Sequence, residues 1–196
     1  MSQAPTIWLI AGPNGVGKTT YAFRHIKTVS GSVHFINLDE IARGLSPLAP
    51  DEARTAAARV ALARVSDMIA DGKSFSIETT LAGLTHLRTL ERARLAGYRA
   101  CLLFFTVRSV ETCLARVARR VSEGGHDVPV PDVMRRFARS IRNFPRYADA
   151  VDLWRVFDNN NGRSIVVAEG QMGSEPMIGD LSGVPVEFAS QLIGMR

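Results

Sequence analysis

Thiol chemistry is almost missing from this chain. Its 196 residues include two cysteines, Cys101 and Cys113. Both fall inside apolar patterns, where a thiol packs as a small hydrophobe. No cysteine–histidine cluster has metal-ligand spacing, so a zinc or iron–sulfur framework is not expected. Lysine is scarce as well, three residues against 21 arginines. No apolar run approaches the ~20 residues that span a bilayer. The opening MSQAPTIWLIAG lacks the basic start and cleavage region of a signal peptide, so a cytoplasmic protein without a membrane partner is expected. There is no internal repeat, low-complexity tract or linker composition. The length and the ordinary balance of apolar and charged residues suit one domain, 1–196, with a sizeable core.

Charge is present, and it is localised. Residues 108–146 hold nine arginines against Glu111, Glu123, Asp127 and Asp132, which accounts for the whole net charge of +5. A general basic coat could use lysine. A preference for planar guanidinium forks suits bidentate phosphate contacts.

Apolar patterning predicts strands at 6–11, 33–38, 73–79, 99–107, 151–158 and 163–169. It predicts helices at 18–29, 51–71, 83–96, 109–123 and 131–146. In the helix at 51–71 the expected core face is Val60, Ala61, Val65, Met68 and Ile69. The glycine-rich stretch 170–183 reads as a loop before a short C-terminal helix. Strand and helix alternate along the chain. That pattern implies an α/β, three-layer fold, with a mainly parallel sheet and helices on both faces.

The first strand runs directly into Gly12-Pro13-Asn14-Gly15-Val16-Gly17-Lys18-Thr19, a full match to G-x-x-x-x-G-K-[ST], followed by Thr20 and a helix. That strand–loop–helix setting is the context which gives the motif its meaning. The loop curls so that backbone N–H groups point at phosphate oxygens, and the helix start adds partial positive charge. Lys18 can reach the β- and γ-phosphates, and the Thr19 hydroxyl can hold Mg²⁺. ATP and Mg²⁺ are the expected cofactors of a P-loop NTPase fold.

Two carboxylates follow apolar strands at the edge where ligands of open α/β sheets bind: Asp39 and Glu78. A carboxylate there can orient an attacking hydroxyl and take its proton. Asp39 would also serve as an N-cap for the helix that follows, and Glu78 as a capping charge or an arginine partner. GPNGVGKTT and FINLDE resemble transporter-type ATPases too. Against that stand the absent LSGGQ signature and the short spacing of about 20 residues from loop to Asp39.

The ordered set GPNGVGKTT, FINLDEIAR and FSIETTLAG, spanning about residues 6–160, resembles the zeta-toxin group of P-loop kinases and its bacterial ATPase-like relatives. The resemblance implies phosphoryl transfer from ATP to a small-molecule hydroxyl, UDP-N-acetylglucosamine in that family, and a possible antitoxin protein as partner. It places Asp39 as the catalytic aspartate and Glu78 as a substrate-binding glutamate.

The arginine-rich segment then reads as a lid, about 116–146. At about 100° per residue, Arg119 lies opposite the apolar face of its helix and Arg120 at the edge of that face. In the next helix Val133, Phe137, Ile141 and Phe144 form the apolar face. Arg136 is nearest its edge, while Arg135, Arg139 and Arg142 point outward. The Gly124-Gly125 bend lies between. Arg120 and Arg136 are therefore the catalytic candidates, and a solvated helix surface is the alternative for both. His126 has no role derivable from sequence beyond a lid-tip hydrogen bond. Asp158-Asn159 either borders the nucleotide base or forms an ordinary strand-end turn. Two other functions stay open: a regulatory ATPase with water as acceptor, and a nucleic-acid-binding P-loop protein. Nucleic acid is disfavoured because Phe137 and Phe144 fall on the apolar face, where they cannot stack on bases.

Overall fold

Pro5 leads into β1 (Thr6–Ala11). The chain continues through α1 (Lys18–Ser30), β2 (Phe35–Ile36), α2 (Leu38–Leu45), α3 (Arg54–Ala70), β3 (Phe75–Thr79), α4 (Thr85–Leu95) and β4 (Arg99–Thr106). It then forms α5 (Val110–Ser122), α6 (Val130–Ala148), β5 (Leu153–Asp158), β6 (Ile165–Gln171), β7 (Met177–Ile178) and α7 (Val186–Gly194). This computed structural model describes residues 4–31 and 33–195, so the first three residues of the N-terminal stretch lie outside the described residues. The described strands make one sheet in the order β2-β3-β1-β4-β5-β6-β7. The first five in that order run parallel, and β6 and β7 are antiparallel additions. The expected three-layer, mainly parallel architecture is the observed one.

Burial explains why β1 reads as uninterrupted apolar sequence. Ile7, Leu9 and Ala11 enter one core cluster with Phe104, Phe144 and Phe188. Ile10 enters the other, with Val16, Phe105, Cys113 and Phe157. A strand covered on both faces has no side to give to water. The Phe104, Phe144 and Phe188 rings meet edge-to-face at centroid distances of 5.0–5.2 Å, which ties α6 and α7 to the sheet. Both thiols are buried, as their apolar surroundings suggested. Among the described residues no helix is long and apolar enough to cross a membrane.

Several expectations are corrected. The strand over 33–38 shrinks to Phe35–Ile36, because Asn37 stops it. Asn37 is an extended N-cap whose Oδ1 accepts from the backbone N–H of Asp39 (2.9 Å) and Glu40 (3.1 Å). Asp39 therefore stands in the first turn of a helix that starts one residue before it, rather than after it as the cap reading had it. It is neither a strand end nor the cap. The helix expected at 51–71 begins only at Arg54, after a turn. Val60 is 46% exposed, so its core face is set instead by Ala57, Val65 and Met68. The stretch 170–183 is not all loop: it closes β6 and contains β7.

Candidate active site

The parallel register places the key carboxylate beside the glycine loop, since Ile10 pairs with Glu78 and Ala11 with Thr79. The loop is wedged on three sides. A Cβ at Gly12 would strike the backbone of Phe105. One at Gly15 would sit 2.7 Å from the Cys113 carbonyl oxygen, and one at Gly17 2.5 Å from Asn159 Nδ2. Close approach of β4, α5 and the segment after β5, rather than turn geometry alone, is why glycine stands there.

A cleft of about 850 Å³ opens over this loop. Asn14, Gly15, Gly17, Lys18, Thr19 and Thr20 line it, whereas Gly12, Pro13 and Val16 do not. The Val16 side chain is fully buried in the core. Lys18 is 6% exposed, donates to the Pro13 carbonyl at 2.8 Å and lies 4.0 Å from Glu78 Oε1. Burial holds its ammonium below the usual lysine range, with the Glu78 and Asp39 charges opposing. The Thr19 hydroxyl lies 2.9 Å from both carboxylate oxygens of Glu78. Asn37 Nδ2 donates to the same carboxylate at 2.8 Å. Burial pushes Glu78 above the ordinary carboxylate range, opposed by Lys18 and the Thr19 hydrogen bond. Glu78, expected to meet the acceptor, thus turns toward Thr19.

Asp39 lines the same cleft from the start of α2. Arg120 lines it from α5, and its Nε and Nη2 are buried without a hydrogen-bond partner among the described residues. Arg136 does not line the cleft, but its Nη1 donates to the Asn14 Oδ1 of the loop at 3.3 Å. Arg119 is surface-exposed and paired with Glu123 at 2.9 Å, and Arg135 is paired with Asp132 at 2.7 Å, in keeping with their outward positions. His126 Nε2 lies 3.8 Å from Asp51 Oδ1, away from the glycine loop.

Sequence reasoning missed Arg116. Its Nη2 donates to the carbonyls of Asn159 (2.8 Å) and Asn160 (2.6 Å), and its Nη1 lies 3.5 Å from the Gly15 carbonyl. Asn159 Nδ2 completes the bolt by donating to the Val16 carbonyl at 2.5 Å. The available signal was its position one helical turn before Arg120, on the same side of α5. Asn159 does border the cleft; Asp158 instead accepts from Asn160 within its own turn.

In sum, the cleft carries Lys18, Arg24, Arg116, Arg120 and Arg163 against Asp39 and Glu78. Such an excess of cations over a nest of N–H groups recruits a polyanion. Among the described residues no group of three or more His, Cys, Asp or Glu is placed to hold a metal. Mg²⁺ needs only one or two protein oxygens beside phosphate and water, and the adjoining oxygens of Thr19 and Glu78 fit that demand.

The model of the AAA domain matches residues 7–145. An uncharacterized protein of Haemophilus influenzae is 31% identical over 115 residues, 59% of this chain and 80% of the relative. A chain of the PezAT chromosomal toxin–antitoxin system of Streptococcus pneumoniae superposes with a TM-score of 0.64 at 18% identity, covering 80% of this chain and 69% of that one. The AvrRxo1-ORF1:-ORF2 complex with ATP gives 0.70 at 18% identity over 97% of this chain and 63% of that one, so this chain spans less than two thirds of it. Shikimate kinase from Acinetobacter baumannii in complex with shikimate gives 0.50 at 18% identity, over 82% and 86% of the two chains. At these identities the likeness to solved structures establishes a kinase-like P-loop fold.

Proposed function

This chain belongs to the AAA domain family, and from that premise we propose that it is an ATP-dependent phosphotransferase acting on the hydroxyl of a small molecule. One observation carries the reading: Arg120, which lines the cleft above the glycine loop, keeps its Nε and Nη2 buried and without a hydrogen-bond partner among the described residues. Burying such donors is unfavourable unless an anion meets them. A transferring phosphoryl group is an anion that would stand there.

The roles follow from placement. The N–H groups of the glycine loop and Lys18 hold the β- and γ-phosphates. Thr19, backed by Glu78, would hold Mg²⁺, which supplies charge neutralisation and orientation of the phosphates. Asp39 orients the acceptor hydroxyl and takes its proton as the oxygen bonds to the γ-phosphorus. The bond from that phosphorus to the β–γ bridging oxygen breaks, and its electrons leave on ADP. Arg120, with Arg136 reaching over Asn14, meets the charge on the equatorial oxygens, a contribution on the order of 10³–10⁵ in rate. The segment 116–146 acts as a lid within one domain and keeps water from competing as acceptor. The finer reading implied by the sequence resemblance is a UDP-N-acetylglucosamine-like acceptor and an inhibitory antitoxin partner. The toxin–antitoxin origin of one superposed structure supports the partner.

The test is ATP turnover with and without a small-molecule extract. Lys18→Ala should abolish turnover, and Asp39→Asn should remove transfer while leaving ATP affinity largely intact. Turnover equally fast without any acceptor would mean a regulatory ATPase instead. Equal loss of ATP binding in both variants would make Asp39 a structural or metal-holding residue.

A further inference from the structure

A second pocket of about 380 Å³ lies between the start of α3 and the segment joining α5 to α6. Asp51, Arg54, Asp127, Asp132 and Arg136 supply its charged groups, and Val128 and Pro129 a small apolar patch. It shares no lining residue with the cleft, but a small cavity between them shares residues with each. Asp39 lines the cleft and also a small cavity with Asp51, Arg54 and His126. Asp51 and Arg54 line the 380 Å³ pocket as well, and Arg136 touches both the pocket and the glycine loop. A row of polar side chains therefore runs from the proton-accepting Asp39 to this pocket.

The two spaces differ in charge. The cleft has five cationic side chains against two carboxylates. The pocket has three carboxylates against two guanidiniums. Both guanidiniums already have acidic neighbours, Arg54 with Asp51 at 3.4 Å and Arg136 with Asp132 at 3.5 Å. A phosphate or pyrophosphate brought here would meet like charges that no free cation offsets. An uncharged molecule rich in hydroxyls would not: each hydroxyl can donate to a carboxylate and accept from a guanidinium. The pocket is also less than half the size of the cleft.

We infer that this pocket is the acceptor subsite and that the acceptor is an uncharged sugar or polyol, held by Asp51, Asp132 and Arg54, in place of the sugar nucleotide that the sequence resemblance implies. The inference rests on the phosphotransferase reading. It leaves the chemical step unchanged, with the acceptor proton passing to Asp39 and ADP leaving.

The experiment supplies the full chain, ATP and Mg²⁺ to a bacterial small-molecule extract, uses Lys18→Ala as blank, and identifies new phosphorylated products by mass spectrometry. A product whose only acidic group is the new phosphate is expected. A product bearing further phosphates, a nucleotide or a carboxylate overturns the inference and leaves the kinase reading standing. No product above the blank overturns the kinase reading, and this inference with it. With the acceptor identified, Asp51→Asn and Arg54→Gln should each raise its KM about 10- to 100-fold, the loss of a hydrogen bond to a charged group, while KM for ATP stays within about twofold. An unchanged acceptor KM in both variants would place the acceptor elsewhere.

Discussion

Gly125 offers the sharpest test of the arginine geometry. Its N–H donates to the Arg120 carbonyl at 2.8 Å, closing the end of α5. A Cβ built on Gly125 would lie 2.5 Å from Arg120 Cγ, 2.8 Å from its carbonyl oxygen and 3.2 Å from Cδ. Ordinary contact begins near 3.4 Å, so Gly125→Ala forces a shift of about 1 Å. Both the arginine stem and the last turn of α5 must give, and the guanidinium loses its aim. A misplacement of about 1 Å can cost ~10²-fold, less than the ~10³–10⁵ of removing the group. We therefore expect Gly125→Ala to lower kcat about 100-fold with little change in KM for ATP. In the background Arg120→Ala it should cost nothing further, because the group it misplaces is gone. Gly124→Ala is the comparison. Its φ of 82° is strained for alanine, yet no atom lies within 4 Å of the added carbon. It should lower Tm by a few degrees, for a cost of about 1 kcal/mol, and lose much less turnover than Gly125→Ala. Steady-state kinetics on the four variants decide the matter. Losses that multiply in the double variant, or wild-type kcat in Gly125→Ala, would refute the claim that Gly125 acts through Arg120.

Three further outcomes are expected. Arg116→Ala removes charged hydrogen bonds worth about 1.5–3 kcal/mol together with their carbonyl partners; it should weaken ATP binding at least tenfold by calorimetry, and Arg116→Lys, unable to span both carbonyls, should recover only part. Phe188→Ala, at a fully buried site between Phe104 and Phe144, should cost about 3–5 kcal/mol in urea unfolding, and a loss below about 1 kcal/mol would mean α7 is not docked on the core. Burial pushes Cys101 up to about 11 and Cys113 up to about 12 from an ordinary 9.0. Both should ignore a thiol reagent at pH 8 until the protein unfolds. The sign of the linked stability is set by raised acid pKa values: the contribution is whole below pH 9 and is lost as pH climbs through 11 and 12, at up to about 1.4 kcal/mol per pH unit per thiol. Tm should accordingly fall above pH 9, and fall less steeply in Cys113→Ala.

What the sequence made legible was whatever depended on local pattern. TIWLIA followed by a glycine loop and Lys18 fixed β1, the cradle and α1, and apolar runs located β3, β4 and β5. What it hid depended on choices between neighbours. VHFINL is as apolar as a strand, and only Asn37, competing for the backbone N–H groups of Asp39 and Glu40, ended it early and started α2 at Leu38. The antiparallel turn of β6 was marked only by the short Asn159-Asn160-Asn161-Gly162 turn, too brief for a parallel crossover. Helical projection ranked Arg119, Arg120, Arg135 and Arg136 by angle and put Arg120 and Arg136 nearest the core. It could not reveal Arg116, whose partners are backbone carbonyls 43 and 44 residues away. Glu78 was found by its place at the end of a strand. Its partners, Thr19 and Asn37, came from other segments that only the parallel register brings together.

The crowding around the glycine loop has a consequence for engineering. Because β4, α5 and the stretch after β5 each press on a different glycine, the octapeptide is not a portable cassette. Grafted after another strand, it would keep its spelling and lose its curvature. Conversely, a bulky replacement at Phe105, Cys113 or Asn159 that shifts its neighbour by a fraction of an ångström should register in nucleotide affinity, although none of those three belongs to the signature.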